Sequence, residues 1–112
     1  MPNPGPSLPG QIAELLGVLG EVTEEEILAV VFIVNNFELH FPSGTSINDY
    51  STGRGGVTIG EACEVISHVR GISADKLRGD FFTRNTRFVG DGFKDLVEGV
   101  IERLRQGGFR VD

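Results

Sequence analysis

Apolar residues recur every three or four positions in three stretches of the chain, which is the spacing of an amphipathic helix. The first stretch consists of Leu8, Ile12, Leu15, Leu16 and Leu19. The second consists of Ile59, Ala62, Cys63, Ile66 and Val69. The third consists of Phe93, Leu96, Val97, Val100, Ile101 and Leu104. Gly20, Gly71 and Gly107 follow these stretches and are predicted to end the three helices.

The segment from Ile27 to Phe41 is apolar on almost every side, which is typical of a helix that other helices cover. Thr23 and Glu26 have the spacing of a capping box and would start this helix. A buried strand at 30–34 is the alternative, because β-branched residues cluster there. The capping box and the length of the segment favour a helix.

The remaining segments complete the predicted fold. Ser73 and Asp75 can cap a short fourth helix that runs through Leu77. We expect residues 81–88 to be irregular and the end of the chain, at Phe109 and Val111, to fold back as a short extended tail. The fold class is therefore all-α: a small single-domain bundle of about five helices, in which the 27–41 helix lies between those at 58–70 and 93–106.

Two further segments, near the N-terminus and in the middle of the chain, lie outside the predicted helices. Residues 1–9 contain four prolines and are predicted to be a flexible arm, which leaves 10–112 as one helical domain. Residues 42–56 contain two clusters of helix-breaking residues, at 42–44 and 53–56, and are predicted to be a long loop. A loop of this length in a compact domain is often a contact surface.

Charge is distributed unevenly over the 112 residues, whose net charge is −6. The first 53 residues carry seven acids and no base, whereas the rest carry nine acids and all ten bases. The longest apolar run is too short to span a bilayer, and no lysine or arginine precedes Arg54, so neither a membrane partner nor a signal peptide is predicted. The single cysteine, Cys63, excludes a disulfide framework, and a cytoplasmic location is the default expectation.

No arrangement of residues indicates catalysis. Cys63 and His68 lie five positions apart on one predicted helix, so their side chains diverge by roughly 140°. Glu61, Glu64 and His68 share a helix face, but a solvated surface explains them and no metal site is predicted. Phosphate-binding, dinucleotide-binding and nucleophile-elbow motifs are absent from the sequence. We therefore expect a protein without enzymatic activity and without a cofactor.

Nucleic-acid binding is the alternative function. The segment 58–77 has the outline of a helix-turn-helix motif. Arg78, Arg84 and Arg87 follow it, interleaved with phenylalanines, so they could contact phosphates while the aromatic rings stack on bases. The acidic composition, with a pI of about 4.8, argues against this function.

One family resemblance concerns segments 23–42 and 57–69. An acidic helix, the sequence Phe-Glu-Leu-His-Phe-Pro, a loop and Val-Thr-Ile-Gly-Glu-Ala resemble the later helices of an acyl carrier protein. In that family an attachment serine opens the first of these helices. Thr23 stands at that position and the chain contains no Asp-Ser-Leu, so the resemblance implies no attachment site.

The acidic first half and the long loop together favour a protein-binding module, such as an adaptor, an inhibitor or an immunity-type protein. Its partner would be another protein with a basic surface. The predicted contact residues are Glu24, Glu25, Glu26, Asp49 and Tyr50. Self-association is compatible with this hypothesis, because the central helix is apolar on all sides.

Overall fold

The structure is a computed structural model that describes residues 8–44, 46, 57–86 and 91–111, with only the backbone described at 84–86 and 91. The helices within these residues are α1 (Leu8–Leu19), α2 (Glu24–Asn36), α3 (Ile59–Arg70), α4 (Ala74–Thr86) and α5 (Asp91–Gln106). Two short strands, β1 (Leu39–His40) and β2 (Arg110–Val111), form an antiparallel pair. The predicted fold class, a small helical bundle, is confirmed.

The central helix is α2, and it packs against α3, α4 and α5. Seven of its ten residues from Ile27 onwards are buried: Ile27, Leu28, Ala29, Val30, Val31, Ile33 and Val34. The same hydrophobic core includes buried residues of the other helices, such as Val100 and Leu104 of α5 and Ile12 and Leu15 of α1. Helix α1 itself packs mainly against α3 and α5. The helical prediction for 30–34 is therefore confirmed, and the alternative of a buried strand is wrong.

The predicted capping box at Thr23 forms, and a second capping box forms at Thr58. Thr23 Oγ1 accepts a hydrogen bond from the backbone N–H of Glu26 at 3.1 Å, and the Glu26 carboxylate accepts one from the Thr23 N–H at 2.8 Å. Thr58 and Glu61 make the same reciprocal pair at the start of α3. Each box satisfies backbone N–H groups that the first turn of a helix would leave without partners. These local signals explain why the starts of α2 and α3 could be predicted.

The predicted end of the central helix is wrong, because α2 ends at Asn36 and not at Phe41. Phe37 still donates its N–H to the carbonyl of Ile33, but its own backbone is extended, with φ of −119° and ψ of 154°, so the helix stops there. Leu39 and His40 then pair with the C-terminal tail as strand β1. The predicted extended tail is thus confirmed as β2, and its Phe109 ring packs edge-on against Phe41 at a centroid distance of 4.8 Å.

The fourth helix is longer than predicted. It starts after Ser73, whose hydroxyl accepts from the Lys76 N–H at 3.2 Å, but it continues to Thr86 instead of ending near Leu77. Residues 81–86 are therefore helical, and the prediction that they are irregular is wrong. Leu77 and Phe81 lie one turn apart and are both buried, so they anchor the helix to the core. Residues 87–90 lie outside the described residues.

The predicted arm and loop lie largely outside the described residues. Helix α1 begins at Leu8, inside the segment assigned to the arm, and Pro9 occupies its first turn, where a missing N–H breaks no helical bond. Of the 42–56 loop, residues 42–44 and 46 are described. Its far end is fixed by a 2.8 Å hydrogen bond from the Asn35 side-chain amide to the Val57 carbonyl. None of the described helices is long and apolar enough to cross a membrane.

Candidate functional site

A small groove opens on the surface where the first two turns of α2 meet the α3–α4 turn and the first half of α4. Its volume is about 80 Å³. Four apolar residues line it: Ile27, Leu28, Ile72 and Leu77. Ser73 and three charged residues, Glu24, Lys76 and Asp80, line it as well. We call these eight residues the α2–α4 groove.

Local sequence signals create both walls of the α2–α4 groove. The Thr23 cap fixes the first turn of α2, so Glu24 stands exposed at the mouth while Ile27 and Leu28 are buried beneath it. On the other wall, Gly71 adopts a left-handed conformation with φ of 70°, which ends α3 and reverses the chain. The next residue, Ile72, remains 40% exposed, which is unusual for a large aliphatic side chain in this protein.

The charges of the groove are predominantly negative. Lys76 Nζ donates to Asp80 Oδ2 at 2.8 Å, and both side chains are about half-exposed. This hydrogen bond, with the nearby charges of Asp80 and Glu24, raises the pKa of Lys76 above its ordinary value. Two carboxylates thus flank one ammonium group. The Glu24 carboxylate makes no hydrogen bond or ion pair within the described part of the chain, although its charge acts on Lys76.

The predicted contact residues fall into three groups. Glu24 lies at the groove and is exposed, and its neighbour Glu25 is half-buried in the same turn. Glu26 is turned toward α5, where its carboxylate binds Arg103 and accepts from the N–H of Thr23. Asp49 and Tyr50 lie outside the described residues. The structure therefore brings one predicted contact residue to the groove and gives Glu26 a role inside the fold.

The alternative nucleic-acid site is described only at its first arginine. Arg78 Nη2 donates to Asp75 Oδ1 at 3.0 Å, an ion pair within α4. The side chain of Arg84 and the whole of Arg87 lie outside the described residues. Phe81 is buried in the core, whereas Phe82 is 47% exposed. Of the two rings, only Phe82 has the exposure that stacking on a base requires.

The residues considered for catalysis lie in ordinary structural surroundings. Cys63 is fully buried, and desolvation raises the pKa of its thiol. His68 is exposed near the end of α3. Among the residues that the structure describes, no three histidine, cysteine or carboxylate side chains converge in a group that could hold a metal ion.

Sequence reasoning did not find most of the groove. The spacing of Lys76 and Asp80, and of Leu77 and Phe81, could have extended α4 by another turn. A hydrophobic residue directly before the Ser73 cap, with another at the fourth helical position, is also the pattern of a hydrophobic staple. That α4 lies beside the start of α2 is a tertiary fact, and no local signal indicates it.

The chain matches no protein-family model, no curated protein and no solved structure.

Proposed function

We propose that this protein is a non-catalytic binding module whose partner is another protein with a basic surface. The observation that carries the proposal is the α2–α4 groove, in which an apolar floor lies beside exposed carboxylates. An apolar centre with a polar rim is the usual anatomy of a protein–protein contact. Glu24 and Glu25 are the proposed contacts from the acidic half of the chain, and Asp49 and Tyr50 of the 42–56 loop remain predicted contacts.

The charge pattern supports a basic partner over an acidic one. The first 53 residues contain no lysine or arginine, so a surface built from them attracts cations and repels phosphates. An adaptor, an inhibitor or an immunity-type protein would fit this description. Electrostatic complementarity of this kind contributes mainly to the rate of association and to specificity.

A capture experiment with matched charge reversals tests the proposal. Tagged protein is incubated with extract of its source organism after nuclease treatment, and bound proteins are quantified by mass spectrometry. The test variant is Glu24→Lys with Glu25→Lys. The control is Glu98→Lys with Glu102→Lys on α5, which changes the net charge equally on two exposed residues. We expect a partner that the wild type and the control retain and the test variant loses.

Binding kinetics with that partner provide the second readout. The α2 reversal should slow association and reduce its dependence on salt, whereas the α5 reversal should leave both nearly unchanged. Thermal unfolding of both variants checks that they remain folded. If the two double variants capture the same proteins with the same kinetics, the acidic start of α2 is not the binding surface and the proposal is wrong.

Nucleic-acid binding is the second candidate, and the half-exposed ring of Phe82 favours it. Arg78 lies one turn before Phe82 on α4, so a base could stack on the ring beside a cationic group. The same capture without nuclease distinguishes the two functions. Nucleic acid that co-purifies and is lost in Phe82→Ala would support this candidate over the first.

A further inference from the structure

We propose that the α2–α4 groove is the docking site for one aliphatic side chain of a basic peptide segment in the partner protein. This inference rests on the proposed function and adds to it the chemistry that the partner must present. The anchor would contact Ile27, Leu28 and Ile72, and a lysine or arginine near the anchor would pair with Glu24.

The size of the groove selects the kind of occupant. Ligand sites for cofactors and drug-sized molecules usually enclose about 300–1,000 Å³. The groove, at about 80 Å³, is far smaller and is open on one side. It has room for a single aliphatic side chain that arrives from a neighbouring surface. Apolar anchors that fill such pockets carry much of the energy in protein interfaces.

The charges of the groove indicate which residues should flank the aliphatic anchor in the bound peptide. The ammonium group of Lys76 is already held by Asp80, whereas Glu24 has no such partner among the described residues. An incoming cation therefore finds a carboxylate at the mouth of the groove. A phosphate group would meet two carboxylates there, and a second copy of this chain would bring a net charge of −6. A basic segment of a different protein fits these charges best.

A library of random peptides displayed on phage provides the probe. It is panned against the intact protein, and recovered sequences are compared with the unselected library. We expect enrichment of leucine, isoleucine, valine or methionine with lysine or arginine within one helical turn. In ¹⁵N spectra, the selected peptides should shift the amide signals of Ile27, Ile72 and Lys76.

Two matched variants locate the contact. Ile72→Thr removes apolar surface from the groove, and Val18→Thr makes a similar change at a residue of equal exposure on α1, at 42% against 40%. We expect Ile72→Thr to weaken binding of the selected peptides about tenfold and Val18→Thr to leave it unchanged. Glu24→Gln provides an independent readout. It should lower the affinity for peptides that contain a basic residue more than the affinity for the same peptides with that residue replaced by alanine.

Several outcomes would overturn the inference. They are a library that yields no enriched peptides, enriched peptides without basic residues, and equal changes in the affinity of the selected peptides on Ile72→Thr and Val18→Thr. Concentration-dependent dimerisation that Ile72→Thr abolishes would assign the groove to a second copy and would also contradict it. These failures are distinguishable from failure of the proposed function. One such result is a partner that loses binding when Glu24 and Glu25 are reversed but binds the Ile72→Thr variant normally. That result would support the proposed function and contradict docking in the groove.

Discussion

Arg103 of α5 joins the end of α1 to the start of α2, across 77 positions of sequence from its partner Glu26. Nη1 of Arg103 donates to the Glu26 carboxylate, and Nη2 donates to the carbonyl of Leu19, the last residue of α1. Helices leave their final carbonyls without helical partners, so one guanidinium group satisfies such a carbonyl and a capping carboxylate together. This contact therefore joins α1, α2 and α5 at one point near the first turn of α2.

Replacing Arg103 with methionine should therefore destabilise the protein. The substitution leaves the carbonyl of Leu19 and the carboxylate of Glu26 without this donor, and we expect a loss of about 1–3 kcal/mol in the free energy of unfolding. Urea titration followed by circular dichroism measures it. Arg70→Met is the control, because Arg70 is exposed in the last turn of α3, and it should cost no more than about 0.5 kcal/mol. Equal effects of the two substitutions would show that the Arg103 contact contributes nothing specific.

The stability of the fold should depend on the ionisation of Glu26. The backbone hydrogen bond from Thr23, the largest cause, lowers the pKa of Glu26 below its ordinary value of 4.5, and the charge of Arg103 lowers it further, while burial partly opposes both. A carboxyl group with a lowered pKa in the folded state stabilises the protein above its unfolded pKa. That contribution is lost as pH falls through the lowered value in the folded protein.

The measurement is urea unfolding at intervals between about pH 6 and pH 3, a range in which carboxyl groups titrate. Glu26→Gln removes the titrating group while keeping a side-chain oxygen for the Thr23 N–H. We expect the variant to be less stable than the wild type near neutrality and the difference to shrink as pH falls below 4.5. A difference that stays constant over this range would mean that Glu26 is not ionised differently in the two states.

Local signals explain which parts of the fold could be predicted from the sequence. The starts of α2 and α3 follow from capping boxes, and the course of α5 follows from its apolar stripe. The end of α2 could not be predicted, because it depends on a distant partner. After Asn36 the chain becomes extended, and Leu39 pairs with Val111, a residue more than seventy positions away. The spacing of Leu77 and Phe81 could have extended α4 by one turn, but the burial of Phe81 by other helices is a tertiary fact that the sequence does not indicate.

The candidate site was predicted less well than the fold, because it depends more on contacts between residues that are distant in sequence. Charge on the first turn of α2 is visible in the sequence, so Glu24 could be proposed as a contact. Glu26 belongs to the same acidic run but pairs with Arg103. The sequence around these two residues gives no indication of that ion pair. Ile72 gains its importance from the position of α4 beside α2. Such tertiary neighbours become visible only in the structure.

The C-terminal turn contains a glycine whose replacement should be costly. A Cβ atom at Gly107 would lie 2.3 Å from Cγ1 of Val18 on α1. Because a valine side chain has few alternative rotamers, Gly107→Ala should force a shift of α1 and cost about 1–3 kcal/mol. In the double variant with Val18→Ala, much of this cost should be recovered. The cycle of single and double variants is measured by urea unfolding.

Gly99→Ala is the matched control for this cycle. Gly99 lies in the middle of α5, and a Cβ atom there meets nothing within 4 Å. Alanine has the higher helix propensity, so this substitution should stabilise the protein by about 0.5–1 kcal/mol. If Gly107→Ala were stabilising as well, or if Val18→Ala recovered none of its cost, α1 would not lie against the turn as described.

The thiol of Cys63 should report on global unfolding. It is fully buried on the core side of α3, and burial raises its pKa, so both access and the thiolate fraction are low in the folded state. We expect a thiol reagent such as 5,5′-dithiobis(2-nitrobenzoic acid) to react at least about a thousandfold more slowly with native protein than with protein in urea, since reaction requires opening of the core. Arg103→Met, by lowering stability, should speed the native reaction, whereas Arg70→Met should not. Rapid labelling of the native wild type would show that α3 opens without unfolding of the bundle, and the thiol would then report a local motion.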